Sequence, residues 1–129
     1  MAEIPTTGNE TSVTRNQERT FHVKLTEILD SSEHWVKGYA SRISDQGIHQ
    51  YCLVGAIELM PGIGFSGRLD VIVREIICEN PEFGRRARQN MFDAKWYSIQ
   101  RFNDHPDTTF EEVHAVAAEA DRRYALKFG

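Results

Sequence analysis

Apolar residues recur at helical spacing along most of the chain. The first such stretch contains Phe21, Leu25, Ile28 and Leu29 at positions i, i+4, i+7 and i+8, which places them on one face of a helix that ends near Asp30. A second short helical turn is predicted at 33–37. These stretches predict that the fold begins with two short helical elements.

The next segments alternate between polar and strongly apolar composition. Residues 39–49 show no periodicity and are expected to form a loop. Residues 50–60 are apolar on every side except at Glu58, which is typical of a helix surrounded by others. Gly55 and Ala56 lack bulk there, so a neighbouring backbone can approach. We therefore predict that 50–60 is the central helix.

Residues 69–78 admit two interpretations. The spacing of Leu69, Ile72, Val73 and Ile76 is helical, whereas the density of β-branched residues also suits a strand. We favour the helix, because no second alternating run with hairpin turn residues offers a partner strand.

The C-terminal part predicts three more helices. A short one is expected at 85–90, after the Asn80-Pro81 pair, and an amphipathic one ends near Asn103. The amphipathic helix is marked by regularly spaced apolar side chains: Phe92, Trp96, Ile99 and Phe102. Thr108 and Thr109 each precede a glutamate by three residues, so either register gives a capping box for the last helix.

These elements predict an all-α fold of about five helices. Residues 1–18 are polar and lack periodicity, so we expect a flexible arm, followed by a single helical domain at 19–129. The formal net charge of −4 makes nucleic-acid binding unlikely, since such proteins normally show a basic excess. We expect a cytoplasmic protein without a membrane span, because the chain has neither an apolar leader nor a sufficiently long apolar segment.

Three short motifs occur in order along the chain: Trp35-Val36-Lys37-Gly38, Tyr51-Cys52-Leu53-Val54-Gly55-Ala56 and Phe102-Asn103-Asp104. This order resembles a domain family of unknown function found in bacterial and phage proteins, with a W-x-x-G, C-L-V-G-A and F-N-D pattern, over about residues 21–126. The resemblance implies a small helical domain of bacterial or phage origin and brings no activity with it.

Catalytic candidates are few. Cys52 is the obvious nucleophile, but desolvation in an apolar helix would raise the pKa of its thiol, so we favour a packing role. Cys78 also lies in an apolar stretch, and both cysteines are expected to be reduced core thiols. Asp104 and His105 are an adjacent acid-histidine pair at a predicted turn. The weak catalytic candidates are therefore Cys52, Asp104 and His105.

Metal and cofactor sites are not indicated. No two of the five histidines stand three or four residues apart, and neither an HExxH nor a CxxC motif occurs. The glycines at 62, 64 and 67 match GxGxxG only superficially, because no strand precedes them. We therefore expect neither a metal nor a cofactor.

Five residues from separated segments are the candidate binding set: Trp35, Gly38, Tyr51, Asn103 and Asp104. Asn and Asp at a helix corner usually bond backbone groups. A sharper hypothesis is that Asp104 accepts a hydrogen bond from the indole of Trp35.

Two functional hypotheses remain open. The first is a non-enzymatic binding or regulatory module that acts on another macromolecule, with protein as the expected partner and a homo-oligomer as an alternative assembly. The second is a small hydrolase or transferase that uses Cys52 or Asp104 with a histidine. The absence of a catalytic spacing favours the first.

Overall fold

The computed structural model describes residues 24–60, 68–88 and 95–128, the last range with side chains from residue 98 onward. Within these residues the chain forms six α-helices, one short 3₁₀ helix at Ser32–His34 and two strands. The helices are α1 (Leu25–Ile28), α2 (Leu53–Glu58), α3 (Leu69–Glu79), α4 (Pro81–Ala87), α5 (Lys95–Asp104) and α6 (Phe110–Phe128), and the strands are β1 (Ser41–Ile43) and β2 (His49–Tyr51).

Helix α3 lies at the centre of the helical body. It packs against α4, α5 and α6, and one face of it buries a continuous apolar stripe: Leu69, Ile72, Val73, Ile76 and Ile77. The helical interpretation of 69–78 is therefore confirmed, and the strand alternative is wrong. Because α3 packs against three other helices, most of its β-branched side chains are buried. This burial outweighs their weak preference for strands.

Helix α2 is shorter and less central than the sequence predicts. Residues 53–57 are all buried, but the helix begins only at Leu53, and its main helical contact is with α5. The bounds predicted for this helix are wrong, because residues 50 and 51 belong to a strand and Cys52 is the residue before the first helical turn, and the central position belongs to α3 instead.

A β-hairpin replaces the loop predicted at 39–49, so the fold is mostly helical but not all-α. Strands β1 and β2 pair antiparallel, with Ser41 opposite Tyr51 and Ile43 opposite His49. Gly47 in the connecting turn has a φ of +80°, a conformation that suits glycine. The strand residues do not alternate between apolar and polar, so periodicity could not reveal them.

Two other elements also have boundaries that differ from the predicted ones. Trp35 is extended and forms a parallel bridge with Tyr51, so the helical turn predicted at 33–37 is limited to the 3₁₀ helix. Helix α4 begins at Pro81 rather than near residue 85, because proline suits the first helical position. The side chain of Asn80 accepts hydrogen bonds from the first turn of α4. The predicted arm at 1–18, the glycines at 62–67 and residues 89–94 lie outside the described residues.

The start of α6 uses one of the two possible capping boxes. The Thr109 hydroxyl accepts from the Glu112 amide at 3.2 Å, and the Thr109 amide donates to the Glu112 carboxylate at 3.0 Å. Thr108 is buried instead, and its hydroxyl accepts from Arg86 of α4. Glu112 also binds Arg86 at 2.8 Å, so the cap links α6 to α4. None of the described helices is long and apolar enough to cross a membrane.

Ion pairs on the outer face of α6 make stability depend on pH. Hydrogen bonds from Arg122 and Arg123 lower the pKa of Glu119 from 4.5 to about 2. A carboxylate with a depressed pKa in the folded state stabilises the fold above its unfolded pKa, and this contribution is lost as the pH falls toward the folded value. We expect the Tm to fall on acidification between about pH 4.5 and pH 2, and to fall less steeply in Glu119→Gln.

The control for this pH dependence is Glu75→Gln on α3. Glu75 is exposed and has no ion pair within the ranges that the structure describes. Its variant should keep the steep acid dependence of the native chain, measured by thermal melts at low salt, where surface ion pairs are least screened. If the Tm of Glu119→Gln and that of the native chain fall equally steeply with pH, the ion pairs of Glu119 do not cause the acid dependence.

Candidate functional site

Asn103, the penultimate residue of α5, lies fully buried where the hairpin meets the helices. Its Oδ1 accepts from the Trp35 indole at 2.6 Å and from the Leu53 amide at 3.0 Å. Its Nδ2 donates to the Val36 carbonyl at 3.1 Å and to the Asp104 carboxylate at 2.9 Å. The amide therefore makes two bonds through its oxygen and two through its nitrogen, which satisfies both of its donor hydrogens.

Asp104 has a different role from the one predicted. Its Oδ1 accepts from the Gly38 amide at 2.9 Å, at a point where Gly38 has a φ of +85°. The hypothesis that Asp104 accepts from the Trp35 indole is wrong, because Asn103 takes that bond. Successive helical residues point in different directions, so Asn103 enters the core while Asp104 stays half-buried at the edge.

The surrounding contacts extend this arrangement. The Lys37 ammonium donates to the His105 carbonyl at 2.6 Å and lies 5.5 Å from the centre of the Trp35 ring. Trp35 also approaches Phe110 of α6, with ring centres 6.0 Å apart. Lysine over an indole is a favourable cation–π arrangement. The segment around Trp35 is thus fixed on α5, the following turn and α6.

Tyr51 joins the same region through its backbone. Its carbonyl accepts from the Val36 amide at 3.1 Å, which continues the bridge between Trp35 and Tyr51. The structure therefore brings together all members of the predicted binding set, and we call this group the Asn103 cluster: Trp35, Gly38, Tyr51, Asn103 and Asp104. The polar contacts described above tie these residues to one another and to the adjacent backbone.

Cys52 is the N-cap of α2, not a residue of its interior. Its side chain is only 2% exposed, and its Sγ accepts from the Gly55 amide at 3.3 Å. Burial raises the pKa of the Cys52 thiol above its ordinary value, and the hydrogen bond from Gly55 only partly offsets this effect. The neutral thiol is a poor nucleophile, so the environment favours a structural role. Cys78, predicted to be a core thiol, is exposed, and both cysteines are free.

Asp104 and His105 are neighbours in sequence but use separate partners. The Nδ1 of His105 accepts from the Asp107 amide at 3.1 Å, which requires that this nitrogen carry no proton. Asp104 is bound to Gly38 and Asn103 instead. The geometry therefore stabilises the turn between α5 and α6 rather than an acid-histidine dyad.

The reactivity of Cys52 provides a direct test of its role. We expect slow alkylation by iodoacetamide in the folded protein near pH 6.5, because the thiol is buried and its pKa is raised. Exposed Cys78 is the internal reference and should react faster in the same sample. The measurement is the labelling rate at each cysteine by mass spectrometry, with and without denaturant. Rapid labelling of Cys52 near pH 6.5 in the folded state would contradict the structural assignment.

A feature that the sequence did not predict lies where α1 packs against α6. Asp121 of α6 accepts from the Leu25 amide at 2.9 Å and from the amide of Thr26 at 3.1 Å, and thereby caps α1. A shallow cleft of about 290 Å³ adjoins this contact. Such a cap from a residue far along the chain leaves no local signal in sequence.

A metal site is not formed by the described side chains. Among them, no group of three or more histidine, cysteine, aspartate or glutamate residues is arranged to hold a metal ion. The Asn103 cluster offers one carboxylate and one amide, and both are engaged by donors of the chain itself.

The comparisons with known proteins place the chain in a family. A family model described as "Family of unknown function (DUF6197)" matches residues 24–123. The chain belongs to the DUF6197 family. The resemblance to a family of unknown function is thereby confirmed, while bacterial or phage origin stays a prediction. No curated protein and no solved structure is significantly similar to the chain. The DUF6197 match includes the whole Asn103 cluster and the hairpin, so both are parts of the family domain.

Proposed function

We propose that this DUF6197 chain is a non-enzymatic binding module that presents its hairpin to another protein. The observation that carries the proposal is the contrast between the two sides of the hairpin, residues 39–51. Its ends are tied to the Asn103 cluster, in which Asn103 itself is buried, whereas all three residues of β1 are exposed. A rigid scaffold that holds an exposed loop or hairpin is a common arrangement for recognition.

Both ends of the hairpin are held by backbone contacts. At its start, Gly38 donates to Asp104, and the Ala40 carbonyl accepts from the Cys52 amide at 3.2 Å. Gly55 of α2 lies so close that a Cβ atom there would be 1.9 Å from the Ala40 oxygen. These contacts fix the orientation of the hairpin on the helical body. A fixed hairpin loses less conformational entropy when it binds, so the entropic cost of binding is lower.

The exposed side of the hairpin carries apolar surface. Tyr39 is 54% exposed and Ile43 is 59% exposed. Single exposed apolar residues are common, but here Tyr39 lies just before β1 and Ile43 is its last residue, so the strand offers both an aromatic and an aliphatic side chain to a partner. Tyrosine in particular is enriched at protein interfaces.

The enzymatic alternative finds less support in the geometry. Cys52 caps α2, and its pKa is raised by burial. Asp104 accepts from Gly38 and Asn103, and His105 accepts from a backbone amide. Catalysis would require one of these groups to exchange its structural partner for a substrate.

Photocrosslinking in the cells that produce the chain tests this proposal. A photoreactive phenylalanine replaces Ile43 on β1 or, as a matched control, Val71, which is 37% exposed on α3. We expect adducts with one protein, identified by mass spectrometry, at position 43 and none at position 71. An adduct between two copies would indicate a homo-oligomer instead. The absence of any adduct at position 43 would overturn the proposal.

A further inference from the structure

The two edges of the hairpin differ in how their backbone groups are satisfied. On the outer edge of β2, the Tyr51 carbonyl accepts from the Val36 amide at 3.1 Å, and the His49 carbonyl accepts from the His34 ring at 2.9 Å. This edge is therefore covered by the segment that carries Trp35. The outer edge of β1, in contrast, has no such covering segment among the described residues.

In an antiparallel pair, alternate residues direct their amide and carbonyl toward the partner strand. The bonds from Cys52 to Ala40 and from Ser44 to Ile48 show which set in β1 faces β2. By alternation, Ser41 and Ile43 direct their amides and carbonyls away from β2. No described residue provides a partner for these outward groups.

The side chains along β1 restrict what can pair with this edge. Arg42 is exposed, with its guanidinium 5.2 Å from the centre of the Tyr39 ring, and it forms no ion pair within the described part of the chain. If a second copy paired antiparallel over the whole of β1, Arg42 would face Arg42 of that copy. Like charges directly opposite each other destabilise a sheet, whereas opposite charges stabilise it.

We infer that β1 accepts an extended segment of a partner protein as an added strand, with a carboxylate opposite Arg42 and apolar side chains beside Tyr39 and Ile43. This inference rests on the proposed function and names the chemistry of its partner. Strand addition supplies main-chain hydrogen bonds to Ser41 and Ile43, and the alternating side chains supply the specificity. The carboxylate distinguishes the partner from a second copy of the chain.

Two synthetic peptides test the inference on the full chain. Both are short, blocked at the termini and rich in valine and threonine, and they differ only in a central glutamate or a central lysine. We expect the glutamate peptide to bind with a Kd at least about tenfold lower than the lysine peptide, by calorimetry at low salt. Binding should also slow amide hydrogen exchange at Ser41 and Ile43.

Two variants separate charge recognition from strand pairing. Arg42→Glu should reverse the preference in favour of the lysine peptide. Ile43→Pro removes one outward amide while leaving the bonds between β1 and β2 in place, because proline is tolerated on an edge. It should abolish binding of both peptides, and circular dichroism should show that the variant remains folded.

Several outcomes would overturn the inference. They are failure of both peptides to bind the native chain, equal affinity for the two peptides, and undiminished binding by folded Ile43→Pro. Concentration-dependent dimerisation that Ile43→Pro removes would assign the edge to a second copy. If the crosslink at position 43 identifies a partner but neither peptide binds, strand addition is wrong and the proposed function stands. If the crosslink is absent, the proposed function itself fails.

Discussion

Replacing Asn103 by alanine is expected to lower the free energy of unfolding by about 3 to 6 kcal/mol, because it leaves one buried and two part-buried polar groups without partners. The Trp35 indole and the Leu53 amide lose their acceptor, and the Val36 carbonyl loses a donor. Each unsatisfied buried group costs about 1 to 3 kcal/mol. For a domain of this size, the loss is a large fraction of the total stability.

Asp104→Asn is the matched control for Asn103→Ala. An asparagine at position 104 keeps an oxygen that can accept from Gly38, and the site is half-buried, so we expect a loss of about 1 kcal/mol or less. The measurement is urea unfolding followed by tryptophan fluorescence and far-ultraviolet circular dichroism. A loss below about 1 kcal/mol for Asn103→Ala would show that the neighbouring polar groups find other partners.

Gly55→Ala is expected to destabilise the fold by about 3 kcal/mol or more, although alanine is the better helix former. The added Cβ would lie 1.9 Å from the Ala40 oxygen and 2.8 Å from its carbonyl carbon. Both are backbone atoms, so no side-chain rotation relieves the clash. The gain in helix propensity is only about 1 kcal/mol, so overpacking decides the sign.

Gly84→Ala on α4 provides the matched comparison for Gly55→Ala. Gly84 is also a buried helical glycine, but the nearest atom to its added Cβ lies at 3.7 Å, which is ordinary contact. Helix propensity then decides, and we expect stabilisation by about 0.5 to 1 kcal/mol. Thermal melts of both variants give the comparison. Similar shifts of Tm in the same direction would contradict the close approach of α2 to Ala40.

The elements that sequence predicted best are those that carry their own local signals. Helix α6 has a capping box at Thr109 and a regular apolar stripe, and α3 buries the face that its periodicity indicates. The small size of Gly55 also correctly indicated a close backbone approach. For α6 and α3 the signal lies within about one or two turns of the residues that it positions, whereas for Gly55 it lies in the residue type alone.

The hairpin and the polar contacts of the cluster could not be predicted in this way. The strands have only three residues each, and β1 is exposed at all of them, so no burial pattern marks it. The motifs predict that Trp35 lies close to the Asn103-Asp104 pair, but the acceptor of its indole is Asn103 and not the predicted Asp104. The acceptor depends on which residue α5 directs toward the core, and this follows from its packing with α2 and with the segment around Trp35.

Cys52 shows how an error in one boundary changes a chemical interpretation. A helix that begins at residue 50 places the thiol inside an apolar helix, whereas a helix that begins at Leu53 makes it a cap. The conclusion that the thiol is buried and inert survives, because desolvation raises its pKa in both arrangements.

The bonds of the Asn103 cluster also constrain how a nascent chain can fold. Those from Asn103 to Trp35, Val36 and Leu53 join residues 50 to 68 positions apart, so the segment around Trp35 can pair with β2 but has no anchor on α5 until that helix has been synthesised. We expect this docking to be a late step, so Asn103→Ala should mainly accelerate unfolding and change the refolding rate little in stopped-flow experiments. A large decrease in the refolding rate would contradict this order. On the ribosome, the hairpin edge would thus emerge before its anchor, which makes the unfinished chain a candidate for mispairing with other strands and for protection by a chaperone.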